Sequence, residues 1–163
     1  MPTLDVDGLT FTFPARFDAQ KYDEWTFYRQ HFIKQSSGIA AVDIAAVDGA
    51  RTYLIEVKDY RHPEAVKPSQ LAEAIAGKVR DTLSALLPAK LHANNLDEKN
   101  LATAMLAATE LRVVAHIELP PSHIPKVDLA DIKQKLNRLL RAIDPHPKIV
   151  SMQKPLGSPW TVR

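Results

Sequence analysis

The stretch "AVDIAAVDGARTYLIEVKDYR" (residues 41–61) decides how this chain is read. Two apolar runs, 39–47 and 51–59, flank Asp48-Gly49, and Asp-Gly between apolar runs is a strong short-range signal for a β-hairpin. Side chains alternate along a strand, so Leu54, Glu56 and Lys58 share one face while Tyr53, Ile55 and Val57 take the other. On the first strand Asp43 goes with Ala41, Ala45 and Val47, opposite to Val42, Ile44 and Ala46. A two-residue loop of Asp48-Gly49 pairs Val47 with Ala50 and sets Asp43 opposite Leu54, diagonal to Glu56. A one-residue slip would turn Asp43 to the other face. The expectation is a converging pair of carboxylates with Lys58 beside them. The plain alternative is an exposed Glu56–Lys58 ion pair worth about 0–1 kcal/mol, with Asp43 in solvent.

The rest of the chain supplies the frame. "LTFTF" (9–13) reads as a strand stopped by Pro14. A helix is expected from Asp18 to about Lys34, with Trp25, Tyr28 and Phe32 on its apolar face. Residues 61–68 read as a loop, and Ser69 can cap a helix over 70–87 limited by Pro88. A short helix near 98–108, a strand over 111–119, a helix from Asp128 to Ile143 and a strand over 148–152 complete the pattern. The tail, 153–163, shows no pattern. The order β–α–β–β–α–α–β–α–β implies a single α/β domain over 1–163, with its core at 18–152. It is a mixed central sheet containing a hairpin, flanked by helices on both faces.

Composition narrows the classes. The chain has 163 residues, a formal net charge of +2 and no cysteine, so a metal site must use Asp, Glu or His. Residues 111–163 hold 9 Lys+Arg against 4 Asp+Glu, which is compatible with a polyanionic partner or with a solvated basic face. The N-terminus has no apolar core of signal length, and no run approaches a membrane span, so no membrane partner and a cytoplasmic setting are expected. There is no glycine-rich phosphate loop, no G-x-S-x-G elbow and no paired-histidine zinc spacing.

Asp43, the hairpin and Glu56-Val57-Lys58 together resemble the PD-(D/E)xK nuclease superfamily, the restriction-endonuclease-like fold. The motif covers residues 39–61, and the order of elements extends the resemblance over 18–120. Val42 stands where the literal motif has Pro. The resemblance implies a Mg²⁺- or Mn²⁺-dependent nuclease that hydrolyses phosphodiester bonds of nucleic acid, DNA in particular. Asp43, Glu56 and the backbone carbonyl of Val57 would hold the metal, and Lys58 would orient or activate water. Glu24, Gln70 and Lys78 would be auxiliary residues, with Arg61 available to a phosphate. A homodimer is the expectation by analogy. The readings that stay open beside it are an inactive module of the same fold, binding nucleic acid or protein, and an unrelated mixed α/β domain. Lys78 can equally pair with Asp81 at i,i+3, and His116 reads as a satisfied core histidine.

Overall fold

A computed structural model describes residues 1–62, 70–121 and 127–163. The expected loop over 61–68, beyond its first two residues, and the proposed cap Ser69 lie outside the described residues. The strands are β1 (Thr3–Val6), β2 (Leu9–Thr12), β3 (Asp18–Lys21), β4 (Ile44–Val47), β5 (Arg51–Asp59), β6 (Glu110–Glu118), β7 (Lys148–Val150) and β8 (Thr161–Val162). The α-helices are α1 (Thr26–Gln30), α2 (Leu71–His92), α3 (Leu96–Ala107) and α4 (Leu129–Leu139).

Five strands form one mixed sheet in the order β3-β4-β5-β6-β7. The β3–β4 and β4–β5 pairs are antiparallel, and β5–β6 and β6–β7 are parallel. Parallel neighbours need a crossover connection, and here α2 and α3 link β5 to β6 while α4 links β6 to β7. One face of this sheet, with Ala45, Leu54, Val113, Ala115 and Ile117, is buried against residues of all four helices. The other face, with Ile44, Ala46, Tyr53, Ile55, Val57 and Val114, packs on a small three-stranded sheet, β1-β2-β8. The layer expected to be helical on that second face is therefore a sheet.

Two parts of that small sheet were not legible as strands. Residues 3–6 join β2 through a second Asp-Gly turn, with Asp7 at φ 51 and Gly8 at φ 80, the left-handed pair that a tight hairpin needs. The tail contributes β8, which pairs with Phe11 and Thr12, and buries Trp160 against Phe13 and Tyr53.

The helix expected over 18–34 is instead a strand, a 3-10 turn (Tyr22–Glu24), the short α1 and a second 3-10 turn (Phe32–Gln35). Trp25, Tyr28 and Phe32 are buried, but from a cap, α1 and a 3-10 turn rather than along one helical face. Asp18 does not cap anything; it opens β3, which pairs with β4 and covers what would otherwise be an open strand edge. Five residues are too few for a helix to hold on propensity. α1 is held from outside: the Glu98 carboxylate on α3 accepts the N–H groups of Thr26 and Phe27 at 2.6 and 3.0 Å.

α2 does not stop at Pro88 but runs through it to His92. A proline there leaves the carbonyl of Ser84 without its helical donor and crowds it. Burial of Leu86 and Ala89 on either side offsets that cost. Pro88→Ala is therefore expected to stabilise the protein by about 1 kcal/mol, read as a higher urea midpoint at unchanged slope. No helix among the described residues is long and apolar enough to cross a membrane.

Candidate functional site

Asp43 precedes β4 and is placed by three elements. The N–H of Tyr22 donates to its backbone carbonyl at 2.9 Å. The N–H of Val57 on β5 donates to its Oδ2 at 2.7 Å. The segment just before it is tied to α2, where Asp81 accepts from Ala40 N–H and Thr82 from Val42 N–H.

The hairpin register differs from the expected one. The turn lies one residue later, on Gly49-Ala50, with Gly49 at φ 91. Asp48 is not in the loop but closes it: its N–H donates to the carbonyl of Arg51, and its Oδ1 accepts from Ala50 and Arg51 N–H. Moving a turn by one residue moves the pairing by two, so Ala45 faces Leu54 and Ile44 faces Ile55. A shift of two leaves every side chain on its expected face. Continued past Ile44, this register sets Asp43 directly across from Glu56 rather than diagonal to it.

Glu56 is almost fully buried and carries two cations on one oxygen. Lys78 Nζ donates to its Oε1 at 2.6 Å, and Lys58 Nζ lies 3.0 Å from the same atom. Both lysine side chains are 23% exposed. The alternative of an exposed Glu56–Lys58 pair is thus replaced by a buried carboxylate bridging two elements. Ala115, which is paired with Glu56 across the β5–β6 ladder, is small enough to leave this face open to Lys78 from α2.

Burial, then the charge of Glu56, pushes Asp43 up to about 7, against the opposing pull of Lys78, the Val57 N–H and Lys58. Burial works against the Lys58 cation, but the charges of Glu56, Asp43 and Asp7 hold it above the usual lysine range. Three buried polar atoms around this pair have no hydrogen-bond partner among the described residues: Glu56 Oε2, Asp23 Oδ1 and Tyr60 Oη. Burial and the charge of Asp43 also raise Asp23. Unpaired buried acceptors are costly, and they accumulate where a ligand completes a site.

The auxiliary residues divide. Lys78 enters the site, so the alternative pairing with Asp81 does not form; Asp81 accepts from Ala40 instead. Glu24 does not enter, being held in an exposed pair with Lys21 at 2.6 Å. Its neighbour Asp23 is the acid of that turn that feels the charge of Asp43. The 3-10 turn, which helical spacing did not foresee, makes that exchange. Gln70 is exposed at the start of α2 and caps nothing with its side chain. Arg61 is drawn away to Asp59 at 2.6 Å, on the other face of β5. His116 is buried with its Nε2 2.8 Å from Glu118 Oε1, but its Nδ1 has no partner among the described residues, so the expected satisfied histidine is only half satisfied. Asp7 and Tyr60 were missed; the Asp7-Gly8 turn was a signal for the hairpin that carries the first of them.

Among the described residues no group of three Asp, Glu or His side chains is disposed to hold a metal ion. What is present is a pair of carboxylates already contacted by protein donors, Asp43 by the Val57 N–H and Glu56 by Lys58 and Lys78. Mg²⁺ retains most of its waters and takes one or two carboxylates.

Comparison with known proteins gives one relation in sequence. The chain is 34% identical over 150 residues to a cysteine–tRNA ligase of Neisseria meningitidis serogroup A / serotype 4A (strain DSM 15465 / Z2491). The match covers 74% of this chain but 22% of the relative, so the chain spans about a fifth of that protein's length. No family model matches. No solved structure matches. The relation overturns the expectation of a DNA-cleaving nuclease. The relative is named for a ligase reaction on tRNA, so hydrolase activity and a DNA partner are both set aside.

Proposed function

We propose that this chain is a tRNA-associated domain whose Asp43–Glu56 site engages a phosphate of the RNA through a divalent cation. The observation that carries the RNA reading is the relation to the cysteine–tRNA ligase over three-quarters of the chain. The site supports the second half. Asp43 and Glu56, with the carbonyl of Val57, would hold Mg²⁺ or Mn²⁺. When bound, the ion would neutralise the two carboxylates and present positive charge to a phosphate oxygen. Lys58 and Lys78 supply ammonium groups at the same place. Asp23 and Tyr60 bring unpartnered oxygens that can accept from, or donate to, waters of the ion or the RNA. A role beside tRNA also fits the cytoplasmic setting expected from the sequence.

The order of strands and the facing of Asp43 and Glu56 support a resemblance in fold to the PD-(D/E)xK superfamily. That reading concerns architecture alone.

The test is binding. Filter binding of total tRNA and of a DNA duplex of equal mass is measured at fixed ionic strength, with Mg²⁺ and with EDTA. The reading expects tRNA to bind more tightly than DNA, with Mg²⁺ strengthening the complex and Asp43→Asn removing most of that Mg²⁺ effect. Equal affinity for DNA sinks the RNA reading. A complex indifferent to Mg²⁺ sinks the cation.

A further inference from the structure

On the sheet face away from Glu56, at the opposite end of β5, lies a cleft of about 380 Å³. Its walls include Arg51, Tyr53, Arg112, His146, Lys148 and Trp160. The ladders explain the convergence. Arg112 pairs with Tyr53, and Lys148 pairs with Val114 two residues further along β6, so all of these point to one face. The Gly157–Pro159 turn and Trp160 close the cleft from the C-terminal side.

Among the described residues three carboxylates face these groups: Glu110, Asp144 and Asp48, whose Oδ2 accepts from the Tyr53 hydroxyl at 3.5 Å. Glu110 is shared between Arg51 Nε at 2.8 Å and an Arg112 terminal nitrogen at 3.0 Å. Asp144 lies 3.9 Å from Arg112 but is fully buried, and its oxygens are taken by the N–H groups of Val113 and His146. A guanidinium has five N–H donors, so each arginine keeps donors beyond its bond to Glu110. Lys148 donates to the carbonyl of Leu156, a neutral partner that leaves its charge uncompensated. The surrounding segment is basic as well. Of the four acids in 111–163, Glu118 is buried on His116, Asp144 is buried here, Asp128 caps α4 and Asp131 pairs with Lys135. A second observation points to a missing acceptor: the indole Nε1 of Trp160 is buried, and it has no partner among the described residues.

We propose that this cleft binds a nucleotide phosphate, with Arg51, Arg112 and Lys148 on the anion and the Tyr53–Trp160 wall against the sugar or base. The proposal rests on the RNA reading for its natural source, a phosphate of tRNA, while the same chemistry would also accept a free mononucleotide. Forked guanidiniums suit phosphate oxygens in pairs, and an apolar aromatic wall suits the remainder of a nucleotide.

The full chain is compared with an Arg112→Ala/Lys148→Ala variant and with Lys135→Ala, which changes charge on α4 outside the cleft. Circular dichroism melts confirm that all three are folded. Affinity for tRNA is read at several salt concentrations, and 5′-AMP is titrated while the two tryptophan indole N–H resonances are followed. The proposal expects the double variant to bind tRNA about tenfold or more weakly and to lose about two units of salt slope, with Lys135→Ala close to wild type. It also expects the Trp160 resonance to move with 5′-AMP at millimolar concentration. If tRNA binds and the double variant equals wild type, the cleft is overturned while the RNA reading stands. If 5′-AMP moves Trp160 but tRNA does not bind, the RNA reading falls and the cleft stands as a mononucleotide site. Binding of neither overturns both.

Discussion

Replacing Glu56 with alanine is expected to cost about 3 kcal/mol of stability, the range found when one partner of a buried ion pair is removed. Its single oxygen Oε1 holds both Lys58 and Lys78, and its side chain is 1% exposed against 23% for each lysine. Truncation would leave two ammonium groups facing a cavity beside Ala115, without the one carboxylate that either of them pairs with among the described residues. For a domain of this size about 3 kcal/mol is a fall of roughly 6–12 °C in melting temperature. Glu24→Ala is the control. Its exposed pair with Lys21 predicts less than about 0.5 kcal/mol. A thermal melt of the two variants beside the wild type checks this, and equal melting temperatures for Glu56→Ala and wild type would show that the buried bridge does not form.

Asp43→Asn is expected to have the opposite sign, and only at higher pH. The native carboxyl titrates near 7 against an ordinary value of 3.8, because of burial and then the charge of Glu56. Between those two values the native state holds a proton that the unfolded chain has released. Stability therefore falls as pH rises across that window and levels off above it. Asparagine keeps an oxygen to accept the Val57 N–H and carries no charge. At pH 8 the variant should be more stable than the metal-free wild type by about 2–4 kcal/mol. Near pH 4 the two should melt together. Added Mg²⁺ should raise the wild-type melting temperature at pH 8 and leave Asp43→Asn unmoved, since an ion that binds only the folded carboxylate stabilises by mass action. A wild-type melting temperature flat from pH 4 to 8 would rule out the raised carboxyl.

Both expectations depend on a register that local rules approached but missed by two residues. Asp48-Gly49 was visible as a turn, and the alternation of faces followed from it. What moved the turn was the Asp48 side chain, which accepts the N–H groups of Ala50 and Arg51 and so belongs to the strand end rather than to the loop. Because the shift is even, Asp43 and Glu56 stayed on the face that the alternation assigns them. Glu24 and Asp23 show the opposite case. They differ by one position in a segment that reads as continuous helix, and only the 3-10 turn decides which of them feels Asp43.

Sequence by itself determined the hairpin, the faces of β5 and the helix capped by Asp128. These follow from periods of 2 and 3.6 and from side chains that bond their own backbone, all within a few residues. Tertiary structure decided that Lys78 turns from Asp81 to Glu56, that residues 18–21 pair as an edge strand, and that the patternless tail returns as β8 with Trp160 beneath it. Each of these depends on partners more than twenty residues distant. An edge strand is chosen by the edge it covers, and a lysine by the strongest buried charge within its reach.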